Sequence, residues 1–401
     1  MRSSVPDSPT LPTGYASKPE DIKTSTGRTL RTEEMIVNMG PQHPSTHGVL
    51  RLEIVVDGEI VQECIPHIGY LHRCFEKHCE QMTSYQQVIP YTDRMDYCSA
   101  MTNEWGYVLA AERMLKIEVP ERVEYIRVIM AELQRIASHI IAIGTYGIDS
   151  GAFTPFLYTF IDREKILDLF EMTCGARLLY NYIWIGGLSH DLPPKFIEQA
   201  KEFCKYYRPR IKMLNDLLSY NEIFMKRTAN VGVIPKDVAI NYAISGPQLR
   251  GCGIDWDLRR DDPYSVYHKF DWQVQVGKGE LGTALGDCWN RHMVRMREME
   301  QSVNIIEQAL AGLPEGNVQA AIPKRIRPDK DAEIYVRTES PRGEIGFYLV
   351  SDGTASPFRV KARGPAFVNL SVLPEIARGC MIADLVLIAG SIDIVLGEVD
   401  R

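Results

Sequence analysis

The sequence predicts an α+β fold: a central bundle of long helices, preceded by a β-hairpin and followed by an antiparallel sheet. Three observations carry this. Leu50, Leu52, Ile54 and Val56 recur at every second position, and Asp57-Gly58 then leads into a second extended run through Ile65, a strong hairpin signal. Over residues 70–310 the apolar spacing becomes helical. Beyond a polar break, residues 333–337, 344–350 and 358–362 read as extended again, separated by Pro341-Arg342-Gly343 and Asp352-Gly353.

Residues 1–34 hold Pro6, Pro9, Pro12 and many Ser and Thr, with few large apolar side chains to offset the entropy of ordering, so a flexible tail is expected there. Residues 35–69 form the hairpin region and 70–313 the helical core. Its clearest helix opens at Pro120: Val123, Ile126, Met130, Leu133, Ala137 and Ile140 step by three and four to make one apolar stripe, and Glu121, Glu124 and Glu132 fall off it. Similar patterns span 161–182, 194–218 and 287–310, punctuated by Gly186-Gly187 and Pro193-Pro194. Residues 314–331 carry Lys324, Arg325, Arg327 and Lys330 without any period and read as a linker loop. Residues 332–401 hold the second sheet, a helix from about Pro374 and a turn-like end over 391–401. Neither an internal repeat nor a glycine-rich phosphate loop is present.

At roughly 150 residues per domain, 401 residues predict two or three domains with a large core. A net charge of −7 with 24% charged and 45% hydrophobic residues is that of an ordinary soluble protein and too acidic for a general nucleic-acid binder. The apolar stretch 383–397 is too short to span a bilayer and is interrupted by Asp384 and Asp393. No signal-like segment opens the chain, so the default compartment is cytoplasmic. Nine cysteines contain no C-x-x-C, which removes the usual signals for zinc, iron-sulfur and dithiol sites; electrons for any redox chemistry must come from elsewhere.

Four places could carry chemistry. The segment Gly40-Pro41-Gln42-His43-Pro44-Ser45-Thr46-His47-Gly48 sets His43 and His47 four apart, but Pro44 and Gly48 oppose the helix that would make them paired metal ligands. A structural turn and a positioned proton donor both remain open. Tyr97, beside Arg94 and Asp96 ahead of an amphipathic helix, reads equally as core or as a hydroxyl offered to a ligand. Asp149, in Gly147-Ile148-Asp149-Ser150-Gly151, reads on its own as a cap for the following helix. Arg337, Arg342, Arg359 and Arg363 crowd the second sheet, as a solvated face or a surface for an acidic partner.

Taken together, these segments resemble the large catalytic subunit family of respiratory complex I, the D subunit or 49-kDa subunit of NADH:quinone oxidoreductase. The likeness runs through Asn38-Met39-Gly40-Pro41-Gln42-His43-Pro44-Ser45-Thr46-His47-Gly48, His67-Ile68-Gly69-Tyr70-Leu71-His72-Arg73, Arg94-Met95-Asp96-Tyr97, Gly151-Ala152-Phe153-Thr154-Pro155-Phe156, Gly232-Val233-Ile234-Pro235, Ser245-Gly246-Pro247-Gln248-Leu249-Arg250, Arg295-Met296-Arg297-Glu298-Met299 and Gly397-Glu398-Val399-Asp400-Arg401. The resemblance implies a fold like that of the nickel-iron hydrogenase large subunit. It also implies a quinone cavity, for ubiquinone or menaquinone, completed by residues 332–401 and by an iron-sulfur partner, the B subunit, which holds a [4Fe-4S] cluster.

In that family His47 and Tyr97 fall on the positions that contact the quinone headgroup, Asp149 on the carboxylate partner of the histidine, and Arg94 near the cluster. Ser99, Asp393 and Val395 fall on cavity-lining positions, and His43 on the motif's other histidine. Further implied partners are the C subunit, the other peripheral-arm subunits and the H subunit of the membrane arm, with the chain peripheral on the cytoplasmic face of the bacterial inner membrane. The hydrogenase relatives hold their metal with four thiolates; the corresponding stretches here, His72-Arg73-Cys74-Phe75-Glu76-Lys77-His78-Cys79 and Asp393-Ile394-Val395-Leu396-Gly397, lack them, so no metal of the chain's own is implied. One departure is Leu179, which stands where many relatives have a histidine, and His190 is too far along to replace it.

The implied function is reduction of quinone in a proton-translocating NADH:quinone oxidoreductase. Its alternatives are the same quinone module in a ferredoxin-fed complex, a hydrogenase, which the absent thiolates oppose, and a scaffold indifferent to His47 and Tyr97. The purified chain is expected to retain less than stoichiometric nickel, zinc or iron after chelation. Elemental analysis checks this, and about one retained metal per chain would revive the hydrogenase reading.

Overall fold

The structure, a computed structural model, describes residues 21–23, 29–31 and 34–401 apart from Lys324. The tail expected over 1–34 therefore lies outside the described residues, except where β1 (Asp21–Lys23) pairs antiparallel with β2 (Thr29–Arg31) and where β3 begins at Glu34. β4 (Arg51–Asp57) and β5 (Ile60–His67) make the expected hairpin around Gly58. β3 (Glu34–Met39) adds a third antiparallel strand along β4. Sequence reading missed it because its alternation is poor: Met35 and Ile36 are 58% and 57% exposed on this edge strand.

Helices follow, as expected. Short α1 (Phe75–Gln81) and α2 (Ile89–Asp93) lead into α3 (Ala100–Leu115), α4 (Glu121–Asp149) and α5 (Phe153–Cys174). Gly175 ends α5 at a positive φ of 76°, so the helical pattern read over 161–182 stops early. The chain turns instead into a two-stranded hairpin, β6 (Ile183–Trp184) and β7 (Gly187–Leu188), against which Val318 and Ala320 of the expected linker also bond. α6 (Phe196–Leu214) continues into a π turn, then come α7 (Glu222–Thr228), α8 (Lys236–Asn241), α9 (Pro247–Gly251), α10 (Leu258–Asp261) and the long α11 (Cys288–Ala311).

The second sheet has order β10-β9-β8, from β8 (Lys330–Ser340), β9 (Gly343–Asp352) and β10 (Arg359–Arg363). It is followed by α12 (Pro365–Leu370), α13 (Leu373–Ala377), α14 (Ile382–Ile392) and α15 (Leu396–Asp400), so the end read as turn-like contains a helical turn. The α+β architecture, with one sheet before the helical core in the chain and one after it, is the one expected.

α4 is the axis of the bundle, packed by α3, α5, α11 and α14. Enclosed on so many sides, it buries far more than its apolar stripe. Glu132, read as lying off that stripe, is fully buried: it meets Arg135 and Arg259 at 3.2 and 3.1 Å and accepts bonds from Tyr267 Oη at 2.7 Å and Ser302 Oγ at 2.6 Å. Burial alone would raise its pKa, but the two guanidinium groups bring it below the ordinary value. Arg250 extends this ionic core, joining Glu298 at 2.8 Å and Glu339 at 2.7 Å, while His139 bonds Glu298 at 2.8 Å.

The arginines of the second sheet divide. Arg337, Arg359 and Arg363 are partly exposed and paired to Asp262, Glu80 and Glu344 of the same chain. Arg342 is 1% exposed, which overturns its reading as part of a solvated or partner-facing surface.

Glu132→Ala leaves Arg135 without its carboxylate and Arg259 with only Asp257, and is expected to destabilise the chain by about 3–5 kcal/mol. Glu121→Ala, an exposed position on the same helix, should cost about 0.5 kcal/mol or less. Chemical denaturation of the two variants beside the parent checks the contrast; equal losses would contradict it.

Candidate functional site

The two histidines part company at once. Pro44–Thr46 forms a single 3₁₀ turn, capped by His43 and closed by His47, whose φ of 53° places it in the left-handed region. His43 stays exposed, and its Nδ1 accepts the Ser45 N–H at 3.3 Å. The left-handed step turns His47 inward, where Nε2 meets Asp149 Oδ2 at 2.7 Å. Asp149 is the last residue of α4, and α5 begins at Phe153, behind Ala152 and without any side-chain cap, so Asp149 serves His47 and not the following helix.

Burial opposes a charged imidazole at His47. The hydrogen bond and charge of Asp149 and the charge of Asp393 outweigh it, against Arg342, and the pKa stands above the ordinary value. The other ring nitrogen, Nδ1, bonds to no described residue, and the side chain remains 17% exposed.

Tyr97 lies in the turn between α2 and α3. Its hydroxyl bonds to no described residue. Burial, more than any neighbouring charge, raises its pKa, so it stays a phenol at neutral pH. The turn is built on Asp96, whose carboxylate accepts the Cys98 N–H at 3.1 Å, the Ser99 hydroxyl and Arg342 Nη1 at 2.7 Å. Ser99 is thus buried and committed to Asp96. Arg94 is exposed, its guanidinium bonded to the Pro90 carbonyl, on the rim of a 230 Å³ cavity shared with Arg73, Tyr91, Gly397 and Arg401. His47 and Tyr97 do not line that cavity.

Arg342, at the turn between β8 and β9, ties the parts together. Besides Asp96 it reaches Ser138 of α4 at 3.0 Å, Asp393 Oδ1 at 3.2 Å and the Asp393 carbonyl at 2.9 Å. Asp393 sits just past α14 at φ 56°; its second oxygen, Oδ2, is buried without a hydrogen bond, 3.9 Å from Arg295 Nε. Val395 is buried at the start of α15.

Residues 390–397 therefore approach the surroundings of both titratable groups, and we call them the floor of the site. A Cβ at Gly390 would lie 2.4 Å from Asp149 Oδ2, Leu396 abuts Gly48 beside His47, and a Cβ at Gly397 would lie 3.3 Å from the Tyr97 ring and 2.6 Å from the Met95 carbonyl. Glu398, next along, is pushed up to about 8 by burial and then by Asp96, and it accepts the Ala366 N–H at 2.9 Å.

Sequence reading had no signal for Arg342 beyond a local excess of arginine, and none for Gly390, whose role depends on a helix more than two hundred residues away. It also missed a buried acid pair near Leu179. Asp93 accepts the Asn181 N–H at 2.9 Å, and Glu104 accepts those of Tyr182 and Ile183 at 2.9 and 2.7 Å. Burial raises the pKa of both, Glu104 further through the charge of Asp93. Leu179 lies at φ 60°, half-buried, while His190 is exposed and bonded to Ser189. Among the described residues no group of three or more His, Cys, Asp or Glu side chains could hold a metal ion.

The arrangement thus presents an imidazole biased toward its cation and a phenol, each with a polar atom that bonds to no described residue, both close to residues 390–397. Residues 149–333 and 328–401 match the family described as respiratory-chain NADH dehydrogenase, 49 Kd subunit. The chain is 58% identical over 386 residues to the D subunit of the NADH-quinone oxidoreductase of Chlorobaculum tepidum, covering 95% of this chain and 96% of that protein. It is 58% identical over 376 residues to the D subunit of the Chlorobium chlorochromatii enzyme, covering 93% of each. With that of Chlorobaculum parvum it shares 56% over 389 residues, 96% of each.

Proposed function

This chain belongs to the family of the 49 Kd subunit of respiratory-chain NADH dehydrogenase, and on that premise we propose that it protonates quinone during its reduction to quinol. His47 and Tyr97 are the two donors. The observation that carries the reading is the 2.7 Å bond from His47 Nε2 to Asp149.

Reducing a quinone to quinol takes two electrons and two protons, and a dianion in a site sheltered from water would be costly, so each carbonyl oxygen needs a donor. With Nε2 given to Asp149, the proton that His47 can offer is the one on Nδ1, and the aspartate's charge keeps it there to higher pH than an ordinary histidine would. Tyr97 offers its hydroxyl to the opposite carbonyl. Arg342 supports both, orienting Asp393 near His47 and Asp96 beside Tyr97. Ser99 acts through Asp96, and Asp393 and Val395 contribute to the floor; His43, exposed, lies at the rim.

Electrons would arrive from a [4Fe-4S] cluster held by the B subunit, for which the exposed Arg94 is the natural contact. His47 and Tyr97 both keep solvent-accessible surface in the single chain, so enclosing the headgroup falls to the neighbouring B and H subunits, with the C subunit beside them. No helix among the described residues is long and apolar enough to cross a membrane; the proposed place on the cytoplasmic face of the inner membrane follows from the family resemblance. The whole assembly is a proton-translocating NADH:quinone oxidoreductase.

Tyr97→Phe removes one hydroxyl and almost no volume. In the assembled complex it is expected to lower quinone reduction about 100-fold while reduction of the clusters by the upstream donor stays intact. Unchanged quinone turnover at equal complex content would take Tyr97 out of the mechanism.

The His47 pair makes a prediction with a sign. A raised pKa means that the imidazolium is present below it and lost as pH rises through it; Asp149→Asn removes the charge that raises it, so the alkaline limb of the activity profile should move to lower pH by about 1–3 units. His47→Ala should cost a similar amount of activity, and the double variant should be little worse than either single one. Additive losses, or an unmoved limb in Asp149→Asn, would separate the two residues.

A further inference from the structure

The helix α14 contains a glycine that neither its backbone nor its packing as a helix requires. Gly390 has no positive φ and lies in the last turn of the helix between buried Ala389 and Ser391, where the helical backbone alone would favour alanine. What its missing side chain does is specific. A Cβ there would lie 2.4 Å from Asp149 Oδ2, the same oxygen that bonds His47, and 3.2 Å from the ring of Tyr146. Tyr146 is wedged against Phe224 at a centroid distance of 5.6 Å and against His292 at 6.1 Å, so it cannot retreat. The carboxylate would have to move instead.

We infer that Gly390 is a positioning residue for proton donation by His47: the empty space at its Cβ is what lets the Asp149 carboxylate reach Nε2. The inference rests on the proposed role of the His47–Asp149 pair. It differs from the role of glycine elsewhere in the bundle. Gly144 of α4 also leaves no room for a Cβ, 2.5 Å from Thr159 Oγ1, but there the space admits only a neighbouring helix, α5. At Gly390 the space is occupied by an ionisable oxygen of the site.

The consequence is an effect on proton affinity as well as on packing. Gly390→Ala keeps the charge of Asp149 but displaces it from the imidazole, so the alkaline limb of quinone reduction should move to lower pH by less than in Asp149→Asn, about one unit where the full loss of charge gives 1–3. In the Asp149→Asn background no charge remains to displace, and Gly390→Ala should add no further shift.

The experiment measures quinone reduction against pH for the assembled complex carrying Gly390→Ala, Asp149→Asn, both together, and Gly144→Ala, each at equal complex content. The expected result is a downward shift for Gly390→Ala that vanishes in the double variant, and for Gly144→Ala a lower yield of complex with its limb in place. An equal shift from Gly390→Ala in both backgrounds, or none where Asp149→Asn alone gives one, overturns this inference and leaves the proton-donor reading standing. No shift in Asp149→Asn itself overturns both. If Gly390→Ala assembles poorly, Asp149→Ala is introduced beside it: recovery of assembly identifies the carboxylate as the displaced group, and failure to recover rejects the inference.

Discussion

A buried guanidinium, that of Arg342, is the interaction on which the rest of the site depends. Removing a charge from water costs several kcal/mol, and only a full set of partners in good geometry repays it. Here the set comes from three distant parts of the chain: Asp96 ahead of α3, Ser138 within α4, and both the carboxylate and the carbonyl of Asp393 after α14. Burial acts against the charge and the carboxylates overcome it, so the pKa of Arg342 stands well above even its ordinary value. The hub therefore holds its charge at every physiological pH, and that charge acts on both His47 and Tyr97.

The same hub explains why the functional residues come from opposite ends of the sequence. His47 and Tyr97 precede the bundle or open it, Asp149 ends its central helix, and the floor beneath them is residues 390–397. Close approach is made possible by residues without side chains: Gly390 admits Asp149, and Gly397 admits the Met95 carbonyl and the Tyr97 ring. The ionic core of Glu132, Arg135, Arg250, Arg259, Glu298 and Glu339 plays a similar part deeper in the bundle, joining α4 and α11 to β8 through buried ion pairs. Such networks favour one arrangement of helices over near alternatives, since a displaced helix would strand a charge.

How much of this the sequence revealed follows from the range of each interaction. The hairpin at Asp57-Gly58, α4 behind Pro120 and the three strands after residue 330 are local patterns, and they were legible. The strand Glu34–Met39 was not, because an exposed edge strand has little alternation to show. Glu132 looked like a surface residue because helical periodicity separates apolar from polar and says nothing about a polar group with a buried partner on another helix. Asp149 read on its own as a helix cap; only the family resemblance suggested His47 as its partner, and the geometry brings the two together. Arg342 and Gly390 escaped both routes. Their roles are defined by atoms fifty to more than two hundred residues away, and composition and spacing carry no trace of that.

On the proposed reading, one quinone headgroup sits against residues 390–397, between His47 and Tyr97. A density map of the intact complex with quinone bound tests it most directly. One carbonyl oxygen is expected at about 2.6–3.2 Å from His47 Nδ1 and the other at a similar distance from the Tyr97 hydroxyl, with His47 Nε2 still on Asp149. A headgroup bound elsewhere, or one held in this place with neither oxygen meeting these two donors, would contradict it.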